Sequence, residues 1–285
     1  VRLLRLEGRD GVVADSGFHE GELFAQRRAG VVDEAQRLSG MLTEPVISAG
    51  MSRFVAEREL AFVTAQDSCG HLWTSPIYGP RGFCTGHGRT LTMTRTVAEG
   101  DPLQDLRRGQ PVGALLIDFA RRRRLRVNGI VSDATADGLE LSVEQAFGNC
   151  PRYIRPREVT PPDRAAPSRR LAELTSEDVA QIVAADTFIL GTIHPERGAD
   201  TSHRGGEPGF VRHEDGELWW PDHPGNNLFN SLGNLVVNPA SALLFLDYER
   251  GTCLQLSGRG VLDWTSDDPT GRRVRFVPER IACSH

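Results

Sequence analysis

Two short segments hold the residue types best suited to gripping an anion. The first, Asp200-Thr-Ser-His-Arg-Gly-Gly206, supplies a guanidinium whose planar fork of donors matches a phosphate. Gly205 and Gly206 let the backbone approach a flat ligand closely. The second, Pro221-Asp-His-Pro-Gly-Asn-Asn-Leu-Phe-Asn230, follows a strand-like run ending at Trp219-Trp220 and leads into a helical pattern. A helix start offers free backbone N–H groups and the positive end of its dipole, and Asn226, Asn227 and Asn230 add side-chain donors. Each segment also has a plainer reading: the glycines shape a long hairpin loop leading into a strand at Gly209, and one asparagine is a helix cap. Capping explains one of the three amides well and three in five residues less easily. Trp219 and Trp220 should face opposite sides of a strand, one in the core and the other available to stack on a ring or a partner.

What is missing narrows the chemistry. His194, His203, His213 and His223 are too scattered to form a metal set, so no metal is expected. No nucleophile elbow, P-loop or paired-carboxylate signature stands out, and no residue reads as a strong general acid or base. That favours a reaction whose chemistry belongs to a bound cofactor. Five cysteines without CxxC spacing disfavour a disulfide framework and suit a reducing cytoplasmic setting. A formal charge of -5 argues against nucleic acid or an anionic membrane as main partner. The run Arg121 to Arg124 falls between two apolar stretches and reads as a solvated hairpin turn. No apolar run is long enough to cross a bilayer, no signal-peptide core is present, and the start at Val1 points to trimmed ends.

The elements that must position these residues occur twice. Ser75-Pro-Ile-Tyr-Gly-Pro-Arg-Gly-Phe83 is matched by His203-Arg-Gly-Gly-Glu-Pro-Gly-Phe210, and Gly113-Ala-Leu-Leu-Ile-Asp-Phe119 by Ala242-Leu-Leu-Phe-Leu-Asp-Tyr248. The landmarks Phe62/Phe188, Phe83/Phe210 and Asp118/Asp247 lie 126, 127 and 129 residues apart. So long a period suits two tandem domains of one type, and 285 residues give each its own core. Short β-type runs separated by Gly, Asp and Pro turns dominate both halves and predict closing antiparallel sheets of about six strands. Helical spacing covers Gly21 to Leu42, a short helix through Ala185 capped by Thr175, and Asn227 to Val237, with a first-copy counterpart at Pro102 to Arg108. The expected division is a helical segment plus first barrel over 1–155, a proline-rich linker over 156–170, and a second barrel over 171–285.

These residues carry a resemblance. His194-Pro-Glu-Arg-Gly-Ala-Asp200, Ser-His-Arg-Gly-Gly-Glu-Pro-Gly-Phe210 and Pro-Gly-Asn-Asn-Leu-Phe-Asn-Ser-Leu-Gly-Asn234 resemble the pyridoxamine 5'-phosphate oxidase-like, FMN-binding split-barrel superfamily. His19-Glu-Gly-Glu22, Phe147-Gly-Asn-Cys-Pro-Arg-Tyr153 and Asn238-Pro239 resemble its bacterial branch with two barrels per chain. The resemblance implies a mainly β fold of two tandem split barrels packed as a pseudo-dimer, with a flavin in the cleft between them. It implies a cofactor set of His203, Arg204, Gly205, Gly206, Trp220, Pro221, Gly225, Asn226, Asn227, Asn230 and Gln255, with FMN the expected cofactor and FAD the alternative. Ser75, Pro76 and Arg81 would cover flavin or substrate from the first copy. The superfamily's phosphate grip uses more than one Arg or Lys, whereas asparagines and Ser231 stand here. Glu99-Gly-Asp-Pro-Leu103 replaces the asparagine cluster in the first copy, and its acidic character predicts one flavin site rather than two. The implied activity is a flavin-dependent oxidoreductase acting on a small organic substrate by hydride exchange at flavin N5. The other class to weigh is a flavin or haem carrier without turnover. Some members of the branch continue into a reductase module; this chain stops soon after Trp264, so electrons are expected from a nicotinamide cofactor, the substrate or a separate protein. Superfamily habit and the tryptophans lean toward a homodimer.

Overall fold

The computed structural model of the chain describes residues 17–42, 45–148, 151–159, 166–225 and 227–284. Helix α1 (Glu20–Ala29) starts at His19, whose Nδ1 accepts the Gly21 N–H while Glu22 accepts the His19 N–H. It stops at Gly30, which takes the left-handed conformation at φ 71°. The expected helical stretch to Leu42 is therefore broken into α1, α2 (Val32–Leu38) and a 3-10 turn over Ser39–Leu42. Helix α3 (Ala49–Ala56), not foreseen from the pattern, is capped by Ser48.

Seven strands follow: β1 (Leu60–Gln66), β2 (Leu72–Tyr78), β3 (Cys84–His87), β4 (Thr90–Met93), β5 (Pro111–Asp118), β6 (Arg123–Thr135) and β7 (Gly138–Gly148). They make one antiparallel sheet in the order β2-β1-β5-β6-β7-β4-β3. After β8 (Ser168–Leu171) and α4 (Ser176–Ala184) come β9 (Thr187–His194), β10 (Gly198–Gly205), β11 (Arg212–Glu214) and β12 (Glu217–Pro221). Then follow α5 (Asn230–Val237), β13 (Ala240–Leu246), β14 (Cys253–Asp263) and β15 (Arg273–Ser284). The second sheet runs β10-β9-β13-β14-β15-β12-β11, the same order strand for strand, with β8 added beside β15. The duplication read from the sequence is thus a duplication of topology, and the fold is mainly β, two tandem split barrels. Among the described residues no helix is long and apolar enough to cross a membrane.

The sheet register corrects one landmark. Phe62 pairs with Leu115 as Ile189 pairs with Leu244, so the counterpart of Phe62 is Ile189 rather than Phe188. The pleat explains it: Phe62 and Ile189 lie in one cluster with residues of both barrels, whereas Phe188 points into the second barrel's own core. That shared cluster includes Leu60, Phe62, Leu115 and Ile117 from the first barrel and Ile189, Leu244 and Leu246 from the second. Each such side chain contributes about 1.5–3 kcal/mol on burial. Beside it a chain of buried hydroxyls crosses between barrels: Thr201 Oγ1 lies 2.7 Å from Thr64 Oγ1 and donates to the Gly113 carbonyl at 2.8 Å, and Thr64 meets Thr74 at 2.9 Å. Gly113 permits this contact, because a Cβ there would sit 2.8 Å from the Asp200 Cα.

Three further expectations change. Pro102 to Arg108 is turns, not a helix: the Asp101 carboxylate takes the Leu103 N–H at 2.8 Å, and Gly100 and Gly109 both adopt positive φ. Asp200 to Gly206 is not a loop, since β10 runs through Gly205 with His203 paired to Ile189. Helix α5 begins at Asn230, three residues later than its apolar spacing implied, because Phe229 buries its ring and turns the chain through a left-handed φ of 62°.

Candidate functional site

Strand β10 delivers His203 and Arg204 to one end of the second barrel, and the exit of β12 delivers Trp220 to Asp222 beside them. The alternation of β6 brings Arg124 and Arg126 from the first barrel to the same place, with Leu125 and Val127 facing that barrel's core. Together they line a cavity of about 50 Å³ that also touches Tyr153, Gly205, Phe210, Pro221, His223, Pro224 and Gly225. A void of that size holds a few water-sized groups or one phosphate.

The electrostatics are one-sided. Arg126 is 1% exposed and holds Asp200 through Nη1 at 3.0 and 3.2 Å, yet its Nε has no hydrogen-bond partner. Asp200 is further held by Ser231 Oγ at 2.7 Å and Asn128 Nδ2 at 3.3 Å. The Arg204 side chain is 13% exposed, and its one ion contact is Asp222 Oδ1 at a loose 3.8 Å. Its Nε and Nη2 are buried without partners, and burial lowers its pKa to about 10. Asp222 is committed elsewhere, to Arg272 at 2.8 and 3.0 Å. Two carboxylates therefore face three guanidinium groups even before Arg124 is counted. Three buried charged nitrogens without acceptors are costly unless a ligand supplies oxygen atoms.

His203 is 4% exposed, and neither ring nitrogen has a partner. Burial first, then the guanidinium groups of Arg124, Arg204, Arg157 and Arg126, hold its pKa well below the usual histidine range, so the ring is neutral. Tyr153 stacks on His223 with centroids 4.9 Å apart, and its hydroxyl donates to the Pro224 carbonyl at 2.9 Å, so this pair borders the cavity on the solvent side.

Of the residues singled out in the sequence, His203, Arg204, Gly205, Trp220, Pro221 and Gly225 line this cavity. Trp220 is the core tryptophan, packed edge-on against Phe188, and Trp219 lies outside between Arg212 and Arg273. The glycines have a different reason from the one expected. A Cβ on Gly205 would collide with the Tyr153 carbonyl oxygen, and one on Gly206 would strike the Phe210 ring 2.5 Å away. Among the described residues the expected asparagine donors do not gather at the cavity. Asn230 Nδ2 donates to Glu22 Oε1 at 2.6 Å, Asn227 lies in the turn before α5 and does not line the cavity, and Asn226 falls outside the described residues. Arg121 to Arg124 is only partly a turn, since Arg123 and Arg124 begin β6. The missing guanidinium groups are those of Arg124 and Arg126, and the legible signal for them was Arg124-Leu-Arg126-Val-Asn128, polar at every second position.

Gln255, Ser75 and Pro76 sit at the pseudo-symmetric position instead. Leu115 pairs with Arg126 as Leu244 pairs with Gln255, which makes Gln255 the counterpart of Arg126. Its Nε2 donates to Ser75 Oγ at 2.9 Å, the Thr74 carbonyl at 3.0 Å and Asp101 Oδ2 at 3.2 Å. Ser75 donates to Asp101 Oδ1 at 2.6 Å, and burial raises the Asp101 pKa to about 6. Pro76 takes the register position of His203. This counterpart is closed on itself and holds a carboxyl where the other holds arginines. Arg81 is exposed beside Glu59, on a separate surface cavity of about 620 Å³.

His19, Glu20 and His194 each bring a ligand-type atom within 4.8 Å of the others. Both imidazoles, however, accept backbone N–H groups at Nδ1, from Gly21 in one and from Glu196 and Arg197 in the other. Nε2 therefore carries the proton in each ring, the reverse of what a metal-ligating Nε2 requires.

No protein-family model matches the chain, and no curated protein matches it. Solved structures similar to it include a protein from Lactobacillus delbrueckii described as a pyridoxamine 5'-phosphate oxidase, 14% identical, covering 39% of this chain and 97% of that one at a TM-score of 0.33. The haem storage protein HutZ of Vibrio cholerae is 13% identical, with 39% and 93% covered and a TM-score of 0.31. An FAD-binding protein of Mycobacterium smegmatis is 10% identical, with 41% and 98% covered and a TM-score of 0.29. Each of these similarities spans about two fifths of this chain.

Proposed function

We propose that the second barrel, completed by β6 of the first, holds the phosphate of a flavin and that the protein is an FMN-dependent oxidoreductase acting on a small organic substrate. The observation that carries this reading is the set of buried guanidinium nitrogens without acceptors, Arg126 Nε with Arg204 Nε and Nη2, on two residues that line a phosphate-sized void. The anionic end of FMN fits these residues; the ring would lie beyond the void, on the side bordered by Tyr153 and His223. A bound flavin supplies hydride exchange at its N5. Arg204 and Arg126 would anchor the phosphate, Arg124 would guard the rim, and Asp222 would keep Arg204 oriented while spending its own charge on Arg272. Trp220 and Phe210 would keep water from the anchor. The counterpart site, with Asp101 and Gln255 in place of arginines, supports one flavin per chain. Reducing equivalents would come from a nicotinamide cofactor or a separate protein, in the cytoplasm.

The test is titration with FMN against riboflavin, which differs only in lacking the phosphate. FMN should bind at least about 100-fold more tightly, since two charge-assisted bonds exceed the roughly 2.7 kcal/mol this requires. Equal affinity for the two, or binding of neither, overturns the reading. Anaerobic mixing of the loaded protein with reduced nicotinamide cofactors and candidate substrates then separates oxidoreductase from carrier, because a flavin band that no donor bleaches belongs to a carrier.

A further inference from the structure

His203 has a chemical problem that the arginines around it do not solve. Its ring is buried at the wall of the cavity with both nitrogens unpartnered, so one N–H lacks an acceptor and one lone pair lacks a donor. The charged groups that act on it most strongly are all cations. Arg124 and Arg126 approach from β6, Arg204 from its own strand and Arg157 from the segment after β7, while the Phe119 ring lies edge-on with centroids 6.3 Å apart. The backbone carbonyl of His203 is already taken by Arg124 Nη1 at 3.3 Å. Asp222, His223 and Tyr153 are the other ionisable groups lining the cavity; Asp222 is held by Arg272, and the Tyr153 hydroxyl donates to the Pro224 carbonyl. A neutral imidazole so placed offers a single N–H to an incoming anion, whereas an imidazolium offers two and adds a charge.

We infer that His203 is a proton-coupled member of this anion cradle: when a dianion seats against Arg126 and Arg204, the imidazole takes one proton from water and becomes a further cationic donor. The inference rests on the cradle reading proposed above. The ligand cancels the positive field that adds to burial in keeping the ring neutral, and supplies the acceptor its N–H lacks. Binding and protonation are then linked, so the affinity for a fixed dianion must rise as pH falls. The same device favours dianions over monoanions, because a monoanion offsets less of that field.

Sulfate is the suitable probe, since it stays a dianion across the range where a phosphate would itself titrate. The full-length protein is titrated with sulfate from about pH 5.5 to 8, and the His203 ring protons are followed by NMR with and without the anion. The expected result is a ring neutral throughout without sulfate and charged with it. Affinity should strengthen by up to about tenfold per pH unit, the limit for one linked proton. His203→Gln should bind sulfate more weakly with a flat pH profile, and His223→Gln should keep the wild-type slope. Sulfate binding that is independent of pH, or a slope retained in His203→Gln, overturns the inference while leaving the cradle standing. Failure of sulfate to bind, or binding unchanged in Arg204→Met, sinks the cradle reading and this inference with it.

Discussion

Arg204→Met should move stability and ligand affinity in opposite directions, which an ordinary structural arginine would not do. In the ligand-free protein the Arg204 guanidinium is nearly enclosed, leaves Nε and Nη2 without partners and has only the 3.8 Å contact to Asp222. Asp222 is not stranded by its removal, because Arg272 still holds that carboxylate at 2.8 and 3.0 Å. Methionine keeps an apolar side chain of similar length and removes an under-satisfied buried charge, so the unliganded variant should be unchanged or more stable by about 1–2 kcal/mol. With a phosphate present, the two nitrogens would each make a charge-assisted hydrogen bond worth about 1.5–3 kcal/mol. Losing both costs about 3–6 kcal/mol, or roughly two to four decades in affinity. Urea unfolding of the ligand-free protein gives the first quantity, and quenching of FMN fluorescence gives the second. A variant destabilised by more than about 2 kcal/mol that binds FMN as before would show that Arg204 serves the fold rather than the ligand.

The remaining predictions concern the frame. Burial raises the pKa of Glu22 to about 7, so above the ordinary glutamate value of 4.5 the unfolded chain releases a proton that the folded protein retains. Its contribution is complete at low pH and is lost as pH climbs toward 7, while His19, lowered to about 4 mainly by burial, acts in the opposite sense below its usual 6.5. Glu22→Gln should therefore gain about 1–3 kcal/mol over wild type near pH 8 and little near pH 5; parallel urea curves at the two pH values would contradict this. Gly113→Ala should destabilise the protein by about 1–3 kcal/mol, because the new methyl meets the Asp200 backbone between barrels; an unchanged urea midpoint would refute that contact. Tyr153→Ala removes the stack on His223 and the bond to the Pro224 carbonyl, so FMN should associate several-fold faster with a stability loss under about 1.5 kcal/mol; stopped-flow rates equal to wild type would mean that this pair does not border the route in.

The sequence by itself determined the duplication, because two copies of one topology must repeat the same apolar and turn positions. The run to Trp219-Trp220 is readable for that reason, since a strand half buried on one face alternates locally. Thr175 with Asp178 is readable too, as a cap needs only neighbours three residues apart. Arg204 was legible as an anion ligand from its type and its flanking glycines. Tertiary structure alone decided what surrounds it. The second guanidinium comes from Arg126, 78 positions earlier in the chain, and only the packing of β6 against β10 brings them to one cavity. Asn230 shows the same dependence in reverse. It is a good phosphate donor by type, but α1 brings Glu22 to it, and its Nδ2 donates to that carboxylate at 2.6 Å. Gln255 looked like a flavin contact until the barrel pseudo-symmetry placed it opposite Ser75 and Asp101. Local pattern fixes what each strand is; which strand ends share a void depends on contacts between residues far apart in the chain, and no local pattern carries that information.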